Sequence, residues 1–119
     1  MTKGQVEAKI SELVCKFEIE YMGRGPQRIK TTINEDVIII RLIGFLSTGE
    51  KKLVQTKEGA ELLKRSRYAL FDISKHNLKE MIQDVISIEI LSIYSDIDTS
   101  TGEKIIIITL KENYDKYLK

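Results

Sequence analysis

Tyr21-Met22-Gly23-Arg24-Gly25-Pro26 divides this 119-residue chain in two. The residues before it repeat with the period of a helix, and those after it alternate with the period of a strand. Two glycines and the only proline converge there on one arginine. Glycine accepts positive φ at no steric cost, and Pro26 fixes its own φ while pushing Gly25 away from the helical region. A rigid turn with a cation at its tip is the expectation.

Upstream, Val6, Ile10, Leu13, Val14, Phe17 and Tyr21 recur at steps of three and four, with Lys3, Glu7, Lys9, Glu12, Lys16 and Glu20 opposite them. Thr2 suits the N-cap and Gly23 an αL stop. Cys15 lies beside the apolar stripe and reads as a small, partly buried residue rather than a reactive thiol.

Downstream, residues 27–34 alternate Arg28, Lys30 and Thr32 against Ile29, Thr31 and Ile33, the pattern of a strand with one wet face. After an Asn34-Glu35-Asp36 turn the chain returns as Val37 to Gly44, apolar on both faces apart from Arg41. Ser47-Thr48-Gly49-Glu50 supplies caps for a long helical stripe. That stripe is either one bent helix from about Gly49 to Asp84 or two helices joined near His76. Arg67 falls in the middle of its apolar face and requires an acid, for which Asp96 is the candidate. Val85 to Ile97 and Glu103 to Lys111 read as strands, the first with a bulge near Leu91, joined by the loop that ends at Thr101-Gly102. The polar tail from Asn113 to Lys119 docks weakly or frays. The fold class is α+β: helix, β-hairpin, long or split helix, β-hairpin, with a four-stranded, mainly antiparallel sheet in a single domain, residues 1–119. Two strands are apolar on both faces and helices are few, so a second copy of the chain is expected to cover the free face as a homodimer.

Composition narrows the function. Nineteen basic residues nearly balance eighteen acidic ones, for a net charge of +1, so no whole-molecule attraction to nucleic acid or lipid follows. One cysteine and an N-terminus without an apolar signal region predict a reducing cytoplasm. No apolar run approaches the ~20 residues of a membrane-spanning helix. His76 is the only histidine, and neither a Cys-His pair nor a Gly-x-Ser-x-Gly turn is present, so no catalytic residue and no cofactor is assigned. Asp96-x-Asp98-x-Ser100-x-Gly102 resembles the opening of a calcium loop but has Thr101 and Ile107 where glycine and a bidentate Glu belong, so no metal site is assigned either.

The basic set says more. Gly23, Arg24, Gly25, Arg28, Lys30 and Arg41 form one expected surface, suited to a small anion such as phosphate, carboxylate or bicarbonate, or to an acidic group of a partner. A structural salt bridge from Arg24 to an internal acid fits the same residues. RNA and DNA are disfavoured, because no exposed aromatics interleave the basic strip.

Met22-Gly23-Arg24-Gly25-Pro26, the strand pair after it, Gly59-x-Glu61-Leu62-Leu63-x-x-x-Arg67, and Ser95-Asp96-Ile97-x-Thr99-x-Thr101-Gly102-Glu103 together resemble the MpsC-like family of small bacterial proteins. The resemblance covers almost the whole chain. The family pattern has a proline near His76 and a glycine near Ser87, and this chain has neither. The family is named for a sodium-translocating, membrane-potential-generating system that is also linked to inorganic-carbon uptake. The resemblance implies a non-catalytic cytoplasmic accessory or regulatory subunit, peripheral at the inner membrane face, that docks on a membrane transport complex. The alternative is a small-anion sensor or enzyme built on the Arg24 turn.

Overall fold

The structure is a computed structural model that describes residues 1–117. Helix α1 spans Lys3–Met22. Thr2 and Gln5 cap it reciprocally: Thr2 Oγ1 accepts from the Gln5 N–H at 3.1 Å, and Gln5 Oε1 accepts from the Thr2 N–H at 2.8 Å. It stops at Gly23, which is left-handed with φ 91° and donates its N–H to the Glu18 carbonyl. Val6, Ile10, Val14 and Phe17 are buried, as their spacing requires.

Strands β1 (Arg28–Asn34) and β2 (Val37–Ile43) form the first hairpin, turning at Glu35 with φ 57°. Strands β3 (Ile90–Asp98) and β4 (Glu103–Leu110) form the second. All pairings are antiparallel, in the order β1-β2-β4-β3, so β2 and β4 are central. The register shifts between Ile90 and Ser92, which places the expected bulge at Leu91. β3 nevertheless starts at Ile90 rather than Val85, because the Val85 and Ile86 N–H groups turn back to the Ile82 carbonyl and close the preceding helix.

The helical stretch is split, but not near His76. Helix α2 covers Thr48–Leu53 and α3 runs unbroken through His76 from Lys57 to Gln83. The break lies at 54–56, where Thr56 takes an extended conformation and accepts the Gly59 N–H at 3.0 Å, starting a new helix. Gly59 is needed for that junction, since a Cβ on it would stand 1.8 Å from the Leu53 carbonyl oxygen.

Both long helices lie on one face of the sheet. Along the strands Ile33, Ile38, Ile40, Leu42, Ile106 and Ile108 point toward them and are buried with Phe71, Leu78 and Ile82 of α3. Tyr21, expected in the core, is 37% exposed and packs its ring on Phe17 at 5.1 Å. The tail docks rather than frays as far as it is described: helix α4 spans Tyr114–Tyr117, and the Tyr114 side chain is buried. Leu118 and Lys119 lie outside the described residues.

Candidate functional site

The second face of the sheet carries no helix among the described residues. Strand alternation sends Val37, Ile39, Arg41 and Ile43 of β2 and Glu103, Ile105, Ile107 and Thr109 of β4 onto it, flanked by Arg28, Lys30 and Thr32 on β1 and by Tyr94, Asp96 and Asp98 on β3. Ile39 and Ile107 are directly paired and 36% exposed, and Tyr94 beside Ile107 is 60% exposed. An apolar centre thus stands uncovered on the two strands that hold the fold together. Arg41 is spanned to Glu103 at 2.6 Å, so the middle of the face is neutral while its β1 edge is basic and its β3 edge acidic.

Behind this face, on the helix side, lie one fully buried ion pair and a second that is buried at its arginine and partly exposed at its carboxylate. Glu18 of α1 and Lys104 of β4 are inaccessible to solvent, with Lys104 Nζ 3.0 Å from Glu18 Oε2 and 4.8 Å above the Phe71 ring centre. Burial pulls the Lys104 ammonium below its ordinary value, and the Glu18 carboxylate opposes that without cancelling it. Beside it Arg67 of α3 donates to both Glu50 carboxylate oxygens at 2.7 and 2.9 Å, to the Met22 carbonyl at 3.2 Å, and lies over Phe45. Burial raises the Glu50 carboxyl, but the Ser47 N–H and Arg67 outweigh it and hold it below the ordinary carboxylate value. The carbonyl of Glu18 itself receives the N–H groups of Gly23 and Arg24. The C-terminus of α1, the turn after it, α2, α3 and β4 are therefore fastened at one point.

The chain matches the family described as "Na+-translocating membrane potential-generating system (MpsC)" over residues 2–112. It belongs to the MpsC family. Among curated proteins it is similar to "Uncharacterized protein YbcI" of Bacillus subtilis (strain 168), 31% identical over 118 residues that make up 99% of this chain and 95% of YbcI. It is also similar to "Uncharacterized protein YrhF" of the same organism, 28% identical over 90 residues, 75% of this chain and 74% of YrhF. No solved structure matches it. Among the described residues of this MpsC chain no helix is long and apolar enough to cross a membrane.

The MpsC fold separates the basic residues that the sequence groups together. Arg28, Lys30 and Arg41 line one depression on the open face with Ile29 and Ile43. Arg24 is not part of it; its backbone N–H completes the cap of α1 and its side chain is half-buried. Gly25 permits a close approach, but to α1: a Cβ there would meet Ile19 Cγ1 at 3.2 Å and Cys15 Sγ at 3.4 Å. Arg67 does need an acid, yet its partner is Glu50 and not Asp96. Asp96 Oδ1 instead accepts the Tyr68 hydroxyl at 2.5 Å and the Ile97 N–H, and the Tyr68 bond is the main reason its carboxyl is held below the ordinary value. Asp98 caps the hairpin turn, its Oδ1 accepting the Ser100 and Thr101 N–H groups. Glu18 and Lys104 went unseen in the sequence, and Glu50 was read there only as part of a cap. Phase would have found the first two: Glu18 is four residues beyond Val14 on the buried stripe, and Lys104 alternates inward with Ile106 and Ile108.

Proposed function

We propose that this chain is a non-catalytic accessory or regulatory subunit of a membrane-potential-generating system, working by protein–protein interaction, and that its open sheet face is covered by a second copy of itself. The observation that carries this reading is the uncovered Ile39–Ile107 centre on the two central strands. Exposed apolar patches rimmed by charge are where soluble chains meet partners. The family description supplies the system, and the absence of a membrane-crossing helix among the described residues fits a subunit that docks on its transport complex from a membrane surface, the cytoplasmic one by the cysteine usage.

Four strands ~4.8 Å apart and about seven residues long at ~3.4 Å per residue present roughly 450 Å² per copy. The pair would bury roughly 900 Å², below the ~1,200–2,000 Å² of stable specific interfaces, so the dimer is expected to be weak and concentration-dependent. Sedimentation from low micromolar to millimolar protein is expected to approach twice the 13.7 kDa chain mass. Ile107→Asp should stay monomeric throughout that range while keeping its circular dichroism. A wild-type chain that sediments as a monomer at every concentration would overturn the dimer.

The three cations Arg28, Lys30 and Arg41 around one depression support a second reading, a small-anion sensor. Melting with bicarbonate, phosphate or nucleotides tests it, since a ligand at a hundred times its Kd adds ~2.7 kcal/mol of stability. The engagement of Arg41 by Glu103 counts against it. The Arg24 turn stays within this second reading as a separate recognition point, and anion-dependent melting that disappears in Arg24→Ala would place the ligand there.

A further inference from the structure

The charges on the open face are distributed in a way that chooses one dimer geometry, and this inference rests on the homodimer reading above. In register across the sheet, Arg28 and Asp98 end one row, Lys30 and Asp96 end the next, and Thr32 and Tyr94 end the third. Each charged row has its cation on the β1 edge and its anion on the β3 edge. Between them Arg41 is already neutralised by Glu103 within the same chain. Asp96 and Asp98 lie in one depression with Lys64 of α3, Glu103 and Ile105, which puts both carboxylates at the border of the open face, with Asp96 also engaged from the helix side by Lys64 and the Tyr68 hydroxyl.

Two sheets packed face to face can be related by a two-fold axis that runs along the strands or by one that runs across them. An axis along the strands exchanges left and right but keeps each row level, so β1 lies over β3 of the other copy. Arg28 then faces Asp98 of the second copy, Lys30 faces Asp96, and Ile39 sits on Ile107, with every contact made twice. An axis across the strands places β1 over β1 and β3 over β3. Cations then gather at one edge and carboxylates at the other, and like charges brought together across an interface disfavour it. Aligned sheets pack about 30° apart, which displaces the corners without exchanging the edges. We infer that two copies associate through the open faces about a two-fold axis parallel to the strands, with the Arg28–Lys30 edge of each copy on the Asp96–Asp98 edge of the other.

Charge reversal reads this out directly. Arg28→Glu with Lys30→Glu in one protein, and Asp96→Lys with Asp98→Lys in a second, each put like charges together in their homodimers. Either protein alone should dimerise about tenfold more weakly or worse, and an equimolar mixture should regain the wild-type mass as a heterodimer. Asp96 and Asp98 also make bonds inside the fold, so a second measurement avoids them. In a Cys15→Ala background, Thr32→Cys and Tyr94→Cys proteins are mixed and treated with a short bis-maleimide. Within one chain those positions are three strands apart, roughly 14 Å, so a cross-link of the two proteins reports the interface. The expected product joins Thr32→Cys to Tyr94→Cys. Cross-linking of Thr32→Cys to itself, or a charge-reversed mixture that stays monomeric while wild type dimerises, would overturn the axis and leave the dimer standing. A monomeric wild type would remove both.

Discussion

Lys104→Met is expected to cost this protein about 3–5 kcal/mol, because it removes one member of a buried ion pair and leaves the other charged in the core. Glu18 is inaccessible to solvent, and its two carboxylate oxygens lie 3.0 and 3.3 Å from Lys104 Nζ. The neighbours of Lys104 across the sheet are Leu42 and Ile97, and Phe71 covers the ammonium. None of them offers the carboxylate a hydrogen bond once the lysine is gone. Against a total stability of ~5–15 kcal/mol for an ordinary domain, that loss is a large share. Glu18→Leu combined with Lys104→Met should recover most of it, since well-packed apolar replacements of a buried pair are neutral or stabilising. Urea titration of the two single variants and the double one gives the coupling directly. A Lys104→Met protein within about 1 kcal/mol of wild type would mean that the pair is solvated and that the core is not as closed as the burial of both groups indicates.

The parts of this fold that the sequence displays are those whose signal is periodic. The α1 stripe, the β1 alternation, the doubly apolar β2 and β4 and the bulge at Leu91 each repeat a local rule over several residues. The break between α2 and α3 does not: it is one cap at Thr56 and one close approach at Gly59, while Leu53, Ala60 and Leu63 carry the apolar stripe across it. Misplacing that break misplaced the partner of Arg67. Glu50 reaches the guanidinium only because α2 turns back as a separate helix, whereas Asp96 is taken up by Tyr68, the next residue of α3. The turn Gly23-Arg24-Gly25-Pro26 was legible as a turn, but its two glycines answer to α1, one as its left-handed cap and one by its approach to Ile19 and Cys15. A glycine that permits close approach does not say, from sequence, what approaches.

Arg67→Met is expected to lower stability by about 2–3 kcal/mol, the worth of charge-assisted hydrogen bonds largely withdrawn from water. The arginine side chain is 7% exposed and holds the C-terminus of α1, through the Met22 carbonyl, to Glu50 at the start of α2. Methionine can fill the volume over Phe45 but cannot donate to either acceptor. The loss should depend on pH. Glu50 is held below its ordinary value of 4.5 by the Ser47 N–H and Arg67, acting against its burial, so the folded protein binds this proton less readily than the unfolded chain. The contribution of the pair is therefore complete above 4.5 and falls away as the pH drops through the lowered folded-state value. The stability gap between wild type and Glu50→Gln should be full at neutral pH and shrink below that window, and chemical denaturation at stepped pH measures it. A gap that stays constant into acid would show that the pair contributes packing alone. Double-mutant cycles give the complementary test: Arg67 with Glu50 should couple by more than about 1 kcal/mol, while Arg67 with Asp96, which share no bond, should add. Additive losses for Arg67 and Glu50 would detach α2 from the fastening point and leave the Met22 carbonyl as the only anchor of that guanidinium.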